Sequence, residues 1–170
     1  MVLVDVINII IFIIIHALRI DAASNLLNEV CSKTPTPNFC LSTIGAEPGA
    51  ATADLKGLDD IALHLSLRTA AQNNALVQTL RQNTTEPVLS GNLAHCSVNY
   101  GGAIYALQQS IVNLEKGNFK AVGELAGICA ENVKDCERVL NGGPSHPLKN
   151  ENQKLIQLAG ICDVIIGMLV

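Results

Sequence analysis

The sequence predicts an all-α protein, an up-down-up-down four-helix bundle preceded by a short N-terminal helical hairpin and stapled by disulfides. Three observations lead there. Of 170 residues, 49% are hydrophobic but only 3% aromatic, with no Trp. A core filled by Leu, Ile, Val and Ala suits close-packed helices better than a sandwich. Apolar residues in the later part of the chain recur in steps of three and four between a few glycine and proline breaks. Six cysteines follow residue 23 and none precede it, the even count of a disulfide framework in an exported chain. The length is that of one domain, and 15% charged residues are too few for a disordered chain of this hydrophobicity. A net charge of −4, with 11 unclustered Lys and Arg, excludes nucleic acid as a partner.

Residues 1–23 form a unit of their own. Ile9 to Ile15 is an unbroken apolar run, interrupted only in type by Phe12 and flanked by Asp5 and Asn8 before and His16 and Arg19 after. It is too short for a membrane span, which takes roughly 20 apolar residues. It fits the centre of a secretory signal, with Asp21-Ala22-Ala23-Ser24 supplying small residues for cleavage, although no Lys or Arg precedes the run. The expectation is a signal over 1–23 and a mature domain over 24–170, free of any membrane, in the extracellular space or vacuole. Asn83-Thr84-Thr85 is an N-glycosylation acceptor sequence, consistent with export.

The mature chain then reads element by element. Leu26–Cys31 and Phe39–Ile44 are two short helices separated by Pro35 and Pro37. Asp54–Asn83 is a long but irregular helix, with Leu58, Ile61, Leu65, Leu76 and Val77 expected inward and Leu63 and Leu67 on another face, toward the N-terminal piece. The next stripe is regular: Leu93, Cys96, Tyr100, Ile104, Leu107, Ile111, Leu114. Val122, Ala126, Cys129, Val133, Cys136 and Leu140 mark a third long helix, and Leu155, Leu158, Cys162, Ile165 and Leu169 a fourth. Short breaks make sequential helices antiparallel. Gly101, Gly102, Gly123, Gly127 and Gly160 fall inside helices, where close helix approach is the expected reason for tolerating them. The last helix is apolar enough to suggest a lipid-anchor tail, but Gln157 and Asp163 interrupt it off the core stripe, as in a bundle helix.

Helix geometry limits the cysteine pairings. Cys129 and Cys136 are two turns apart on one face, ~10.5 Å, beyond the reach of a bridge. Cys31 and Cys40 flank the Pro35-Thr36-Pro37 break and should pair locally. Cys96 and Cys136 lie level on either side of the Gly117 turn, and Cys129 and Cys162 level on either side of the turn at 142–147. The preferred set is 31–40, 96–136 and 129–162. For the third pair, two packed buried thiols are the competing reading.

No catalytic constellation is legible. His64, His95 and His146 make no HExxH pair and no zinc-ligand spacing with free cysteines, and there is no GxSxG, Walker or GxGxxG motif. His95 adjoins Cys96, but an oxidised Cys96 is no nucleophile. Asp59 and Asp60 point to different sides of their helix and read as a solvated face, as do Glu131 and Asp135. No metal or cofactor is implied, and the protein is not expected to be an enzyme.

One pattern resembles a known family. Cys31-Ser-Lys-Thr-Pro-Thr-Pro-Asn-Phe-Cys40, Ala53-Asp54-Leu55-Lys56-Gly57-Leu58, the helix of Cys96 and Tyr100, and the helix carrying Cys136 are together similar to the plant invertase and pectin methylesterase inhibitors, most of all to the pollen-allergen type of invertase inhibitor. The resemblance spans residues 24–170. It implies a helical hairpin on a four-helix bundle, bridges at 31–40 and 96–136, and a wall or vacuolar protein that blocks a carbohydrate-active enzyme by occupying its cleft. Cys129 and Cys162 exceed the family's usual four paired cysteines. Acid invertase is the leading expected target and pectin methylesterase the alternative. Invertase inhibitors often carry a Pro-Lys-Phe turn that enters the substrate cleft. Here the matching positions are Gly117-Asn118-Phe119, of which only Phe119 is retained, with Lys116 and Lys120 beside them as partners for an acidic cleft, so Lys116–Lys120 is the candidate inhibitory turn. The competing reading of Phe119 is a core residue opening a helix. For pectin methylesterase, the second and third bundle helices would cover the cleft. A lipid or small-molecule carrier, or a non-inhibitory storage protein or allergen, are the readings of another class. A carrier should enclose an apolar pocket of several hundred Å³.

Overall fold

A computed structural model describes residues 2–143 and 145–170, with the side chains of residues 2–6 and 15–24 left aside. The helices are α1 (Val2–Ser32), α2 (Pro37–Ile44), α3 (Leu55–Asn83), α4 (Pro87–Glu115), α5 (Phe119–Asn141) and α6 (Lys149–Leu169), with a 3-10 turn at Ala50–Thr52. The last four form the bundle: α4 packs on α3 and α5, α6 closes the ring against α5 and α3, and α2 and the 3-10 turn lean on α3. The C-terminal part of α1 pairs with α2 as the expected hairpin, tied by the Cys31–Cys40 disulfide. The apolar side chains from Ile7 to Ile14 are exposed, and the cleavage position expected near Ala23 and Ser24 lies outside the described side chains. Among the described residues, no helix is long and apolar enough to cross a membrane.

Local chemistry sets the bundle's ends. Asp54 caps α3, its Oδ1 accepting from Gly57 N at 2.8 Å. Pro87 opens α4 in the first helical turn, where its missing N–H costs nothing, and the Glu86 carboxylate accepts from Val88 N and Leu89 N. The α4–α5 turn needs a left-handed residue, which Gly117 supplies at φ 72°.

The core stripe of α5 is the one its spacing predicts, all six residues buried. In α3 the outcome differs. Its buried face is Leu58, Asp59, Ala62, Leu63, Ser66, Thr69, Ala70, Asn73 and Val77. Ile61, Leu65, Leu67 and Leu76 are only partly buried against it. Small and polar residues thus share the inward face of α3 with Leu58, Leu63 and Val77, and Leu63, expected on another face, is fully buried. Of the five glycines singled out by the sequence, Gly101, Gly102, Gly123, Gly127 and Gly160, two meet a neighbour. A Cβ at Gly102 would lie 2.7 Å from Asn132 Oδ1, and one at Gly123 would lie 3.2 Å from Ile166 Cγ2. Gly101, Gly127 and Gly160 face open space, so close helix approach does not account for them.

Cys96 and Cys136 are bonded across α4 and α5, with Cα atoms 4.6 Å apart. The third expected bridge is absent: Cys129 and Cys162 are free, buried thiols. The Cys162 thiol neighbours Asp59 and Ser66 on α3 as well as Cys129 on α5. Burial pushes the Cys129 thiol up to about 12 and Cys162 well above the ordinary thiol range, so neither is a reactive thiolate.

Candidate functional site

Two surfaces of the bundle present groups that the fold itself does not use. The first is the turn between α4 and α5. Gly117 N donates to Leu114 O and Asn118 N to Asn113 O, and Asn118 Nδ2 donates to Asn113 Oδ1 at 3.0 Å, so the turn is braced by backbone and side chain alike. Lys116 and Lys120 are exposed, the latter 3.9 Å from Glu124. Phe119 begins α5 and packs its ring partly buried against the core. The turn thus offers two ammonium groups, while its aromatic faces inward.

The second surface is the outer face of α4. From Pro87 to Leu114 the helix contains no Asp, Glu, Lys or Arg. A surface helix ordinarily covers its solvent side with charge, yet here Val98 (75% exposed), Tyr105 (64%) and Val112 (38%) recur every seven residues, with Ile128 of α5 (49%) beside them. The antiparallel register set by Cys96–Cys136 brings Ile128 level with Tyr105. Gly101, exposed between Val98 and Tyr105, keeps the middle of the face shallow. The stripe from Val98 to Val112 is ~21 Å long at 1.5 Å per residue. Apolar spacing in the sequence points to the core, and this face is marked there by the uncharged run itself.

At the other end of the bundle a buried polar network joins four elements. The Tyr100 hydroxyl donates to Asn152 Oδ1 at 2.5 Å and accepts from Asn73 Nδ2, which also donates to Glu151 O. Asn152 Nδ2 donates to Glu137 Oε2 at 2.7 Å, and His146 Nε2 lies 2.9 Å from the same oxygen. Burial pushes the Tyr100 phenol above its ordinary range. The network is structural: nothing in it opens to a cleft. His64 and His95 are exposed. Asp60 is half-exposed beside His64, but Asp59, expected on a solvated face, is fully buried. Asn83 is exposed at the last residue of α3, with Thr84 extended after it, at the end of the bundle away from Lys116–Lys120.

A groove of about 400 Å³ runs between α5, α6 and the hairpin turn at Thr34–Thr36, over Ala126, Ala130 and Gly160. It is open to solvent and rimmed by Glu131, Lys134 and Asp163, unlike the enclosed apolar chamber of a carrier. Among the described residues no group of three or more His, Cys, Asp or Glu gathers in a geometry to hold a metal.

The described residues thus form a disulfide-braced four-helix bundle with an N-terminal hairpin, an exposed turn and an exposed apolar helix face. The chain belongs to the plant invertase/pectin methylesterase inhibitor family, whose model matches residues 25–165, a family of inhibitors rather than enzymes. It is 29% identical over 147 residues to a pectinesterase inhibitor of Actinidia deliciosa, covering 86% of this chain and 79% of that protein. It is 28% identical to the cell wall / vacuolar inhibitor of fructosidase 2 of Arabidopsis thaliana, covering 88% of this chain and 86% of that protein. The fold matches the crystal structure of a mutant form of a pectin methylesterase inhibitor from Arabidopsis, with a TM-score of 0.77 at 22% identity over 83% of this chain and 95% of that one.

Proposed function

We propose that the chain, exported and freed of residues 1–23, inhibits a pectin methylesterase by laying the outer face of α4, with Ile128 of α5, across the enzyme's cleft. The uncharged, apolar stripe of Val98, Tyr105 and Val112 carries this reading. An enzyme that works along a polymer needs an elongated groove, and a straight helix face ~21 Å long fills such a groove lengthwise. Tyr105 is the natural anchor, since a large, rigid aromatic at the centre of an interface gives much contact for little lost freedom. The relative from Actinidia deliciosa is named a pectinesterase inhibitor and that from Arabidopsis thaliana an inhibitor of fructosidase, so the names support both targets and the α4 face carries the choice. Export would also present Asn83-Thr84-Thr85 for N-glycosylation, and an exposed Asn83 at the bundle's end could bear a glycan without covering the α4 stripe.

The second reading, inhibition of an acid invertase through Lys116–Lys120, is favoured by the two exposed lysines on a braced turn, which suit a cleft lined with carboxylates. Phe119 weakens it, because its ring already packs on the core.

Titration of the mature chain against a purified pectin methylesterase and a purified acid invertase at acidic pH separates the two. Stoichiometric inhibition of the first enzyme alone is expected. Inhibition of invertase alone would transfer the function to the turn.

A further inference from the structure

We propose that Asp59 makes the stability of this bundle depend on acid: the fold is tightest while this core carboxyl carries its proton and loosens when it must ionise. Asp59 sits on the inward face of α3 with no exposed surface. Neither carboxyl oxygen has a partner at hydrogen-bond geometry. A buried carboxylate persists only when a cation or several N–H donors receive it, and otherwise the site favours the neutral acid.

Every element around Asp59 points the same way. On its own helix, Asp60 adds like charge, Lys56 spends its ammonium on Glu115 O of α4, and Ser66 donates its hydroxyl to Ala62 O. His64 pairs with Asp60 outside the core. From α6 comes the Cys162 thiol, and behind it Cys129 of α5, both themselves held protonated by burial. On α4, Ser110, at about the same distance from the α3–α4 turn as Asp59, is buried with its hydroxyl unpartnered. The connection before α3 contributes Glu47, which is engaged by Arg68. No cation faces the carboxyl among the described residues. Desolvation first, then Asp60, raises its pKa from 3.8 to about 7, against a lowering contribution from Cys162.

The sign follows from linkage. Between about pH 4 and about pH 7 the folded chain holds a proton on Asp59 that the unfolded chain has released, so stability falls as pH rises through that window. Below it both states are protonated, and above it both are ionised. The effect on stability stands on core geometry alone. Its use, a bundle that is firm in an acidic wall compartment and looser at neutral pH, rests on the proposed export.

The test is reversible unfolding of the mature chain and of Asp59→Asn, followed from about pH 4 to about pH 8. Across the window the unfolding constant of the parent should rise by up to about tenfold per pH unit relative to the variant, and at neutral pH the variant should be the more stable protein. Parallel curves would overturn the proposal. If the variant fails to fold, the carboxyl carbon resonance of Asp59 in the parent decides. A midpoint near neutrality supports the proposal, and one in the ordinary carboxylate range contradicts it. Neither readout involves a target enzyme, so an error in the proposed function leaves the outcome unaffected.

Discussion

Tyr100 is where the bundle depends most on a single polar atom. Its hydroxyl is shared between Asn73 on α3 and Asn152 on α6, and Asn152 in turn meets Glu137 on α5. Tyr100→Phe removes the shared atom and leaves buried amide groups short of partners. Chemical unfolding should show a loss of about 1–2 kcal/mol with little change in helical circular dichroism. The two free thiols make a second residue-scale prediction. Buried and held protonated, Cys129 and Cys162 should resist a thiol reagent in the native state and react as two equivalents after unfolding without reductant. No titratable thiol in the unfolded chain would mean that they are bridged after all. Apolar spacing places both cysteines in the core, but being level and buried does not decide whether two thiols are bonded. Asp59 reads as solvated in the sequence because a carboxylate ordinarily marks solvent. Yet Asp59, Ala62, Ser66, Thr69 and Asn73 follow one another in threes and fours, a stripe visible to anyone counting small residues rather than large ones.

Among the elements, α5 was the easiest to read and α3 the hardest, for one reason. Helix α5 buries a single apolar face against neighbours and turns charge outward, so its pattern has strong contrast. Helix α3 meets the bundle on one side and the hairpin and 3-10 turn on another, so apolar residues occur around most of its circumference. The bridge between α4 and α5 fixes their register, and cutting it with Cys96→Ser and Cys136→Ser reopens a sequence separation of 40 residues. The expected loss is on the order of 3–4 kcal/mol in the chain-entropy model, read as a lower denaturant midpoint. The turn those helices share is sensitive in its own way. Gly117→Ala forces a Cβ into a left-handed conformation and should cost about 1–2 kcal/mol, measured by thermal unfolding. A null effect would show that the turn relaxes, and that Lys116 and Lys120 are not held where the invertase reading needs them.

At the scale of the whole molecule, the bundle, its hairpin and two of the three expected bridges were legible because they rest on period and spacing. The third bridge, Cys129–Cys162, was not, since level thiols in a core need not be bonded. The proposed contact face was indicated only as far as the second and third bundle helices, through the family resemblance, since the residues of a docking face are those the fold leaves uncovered, and these are known only once the helices are packed. Phe119 shows the difference: the sequence leaves it open between the aromatic of an inhibitory turn and a core residue opening a helix, and in the packed chain it lies partly buried against the core. Tyr105 has the reverse history, one aromatic among the apolar residues of α4 until its neighbours place it outside. The most direct measurement of the account is therefore inhibition of a pectin methylesterase by the parent, by Tyr105→Ala and by Lys116→Ala with Lys120→Ala, each with its helical signal checked. Tyr105→Ala should weaken inhibition at least tenfold, about 1.4 kcal/mol, while the double lysine variant inhibits like the parent. Full inhibition by Tyr105→Ala, with loss in the lysine variant, would contradict the α4 face and place the contact at the turn.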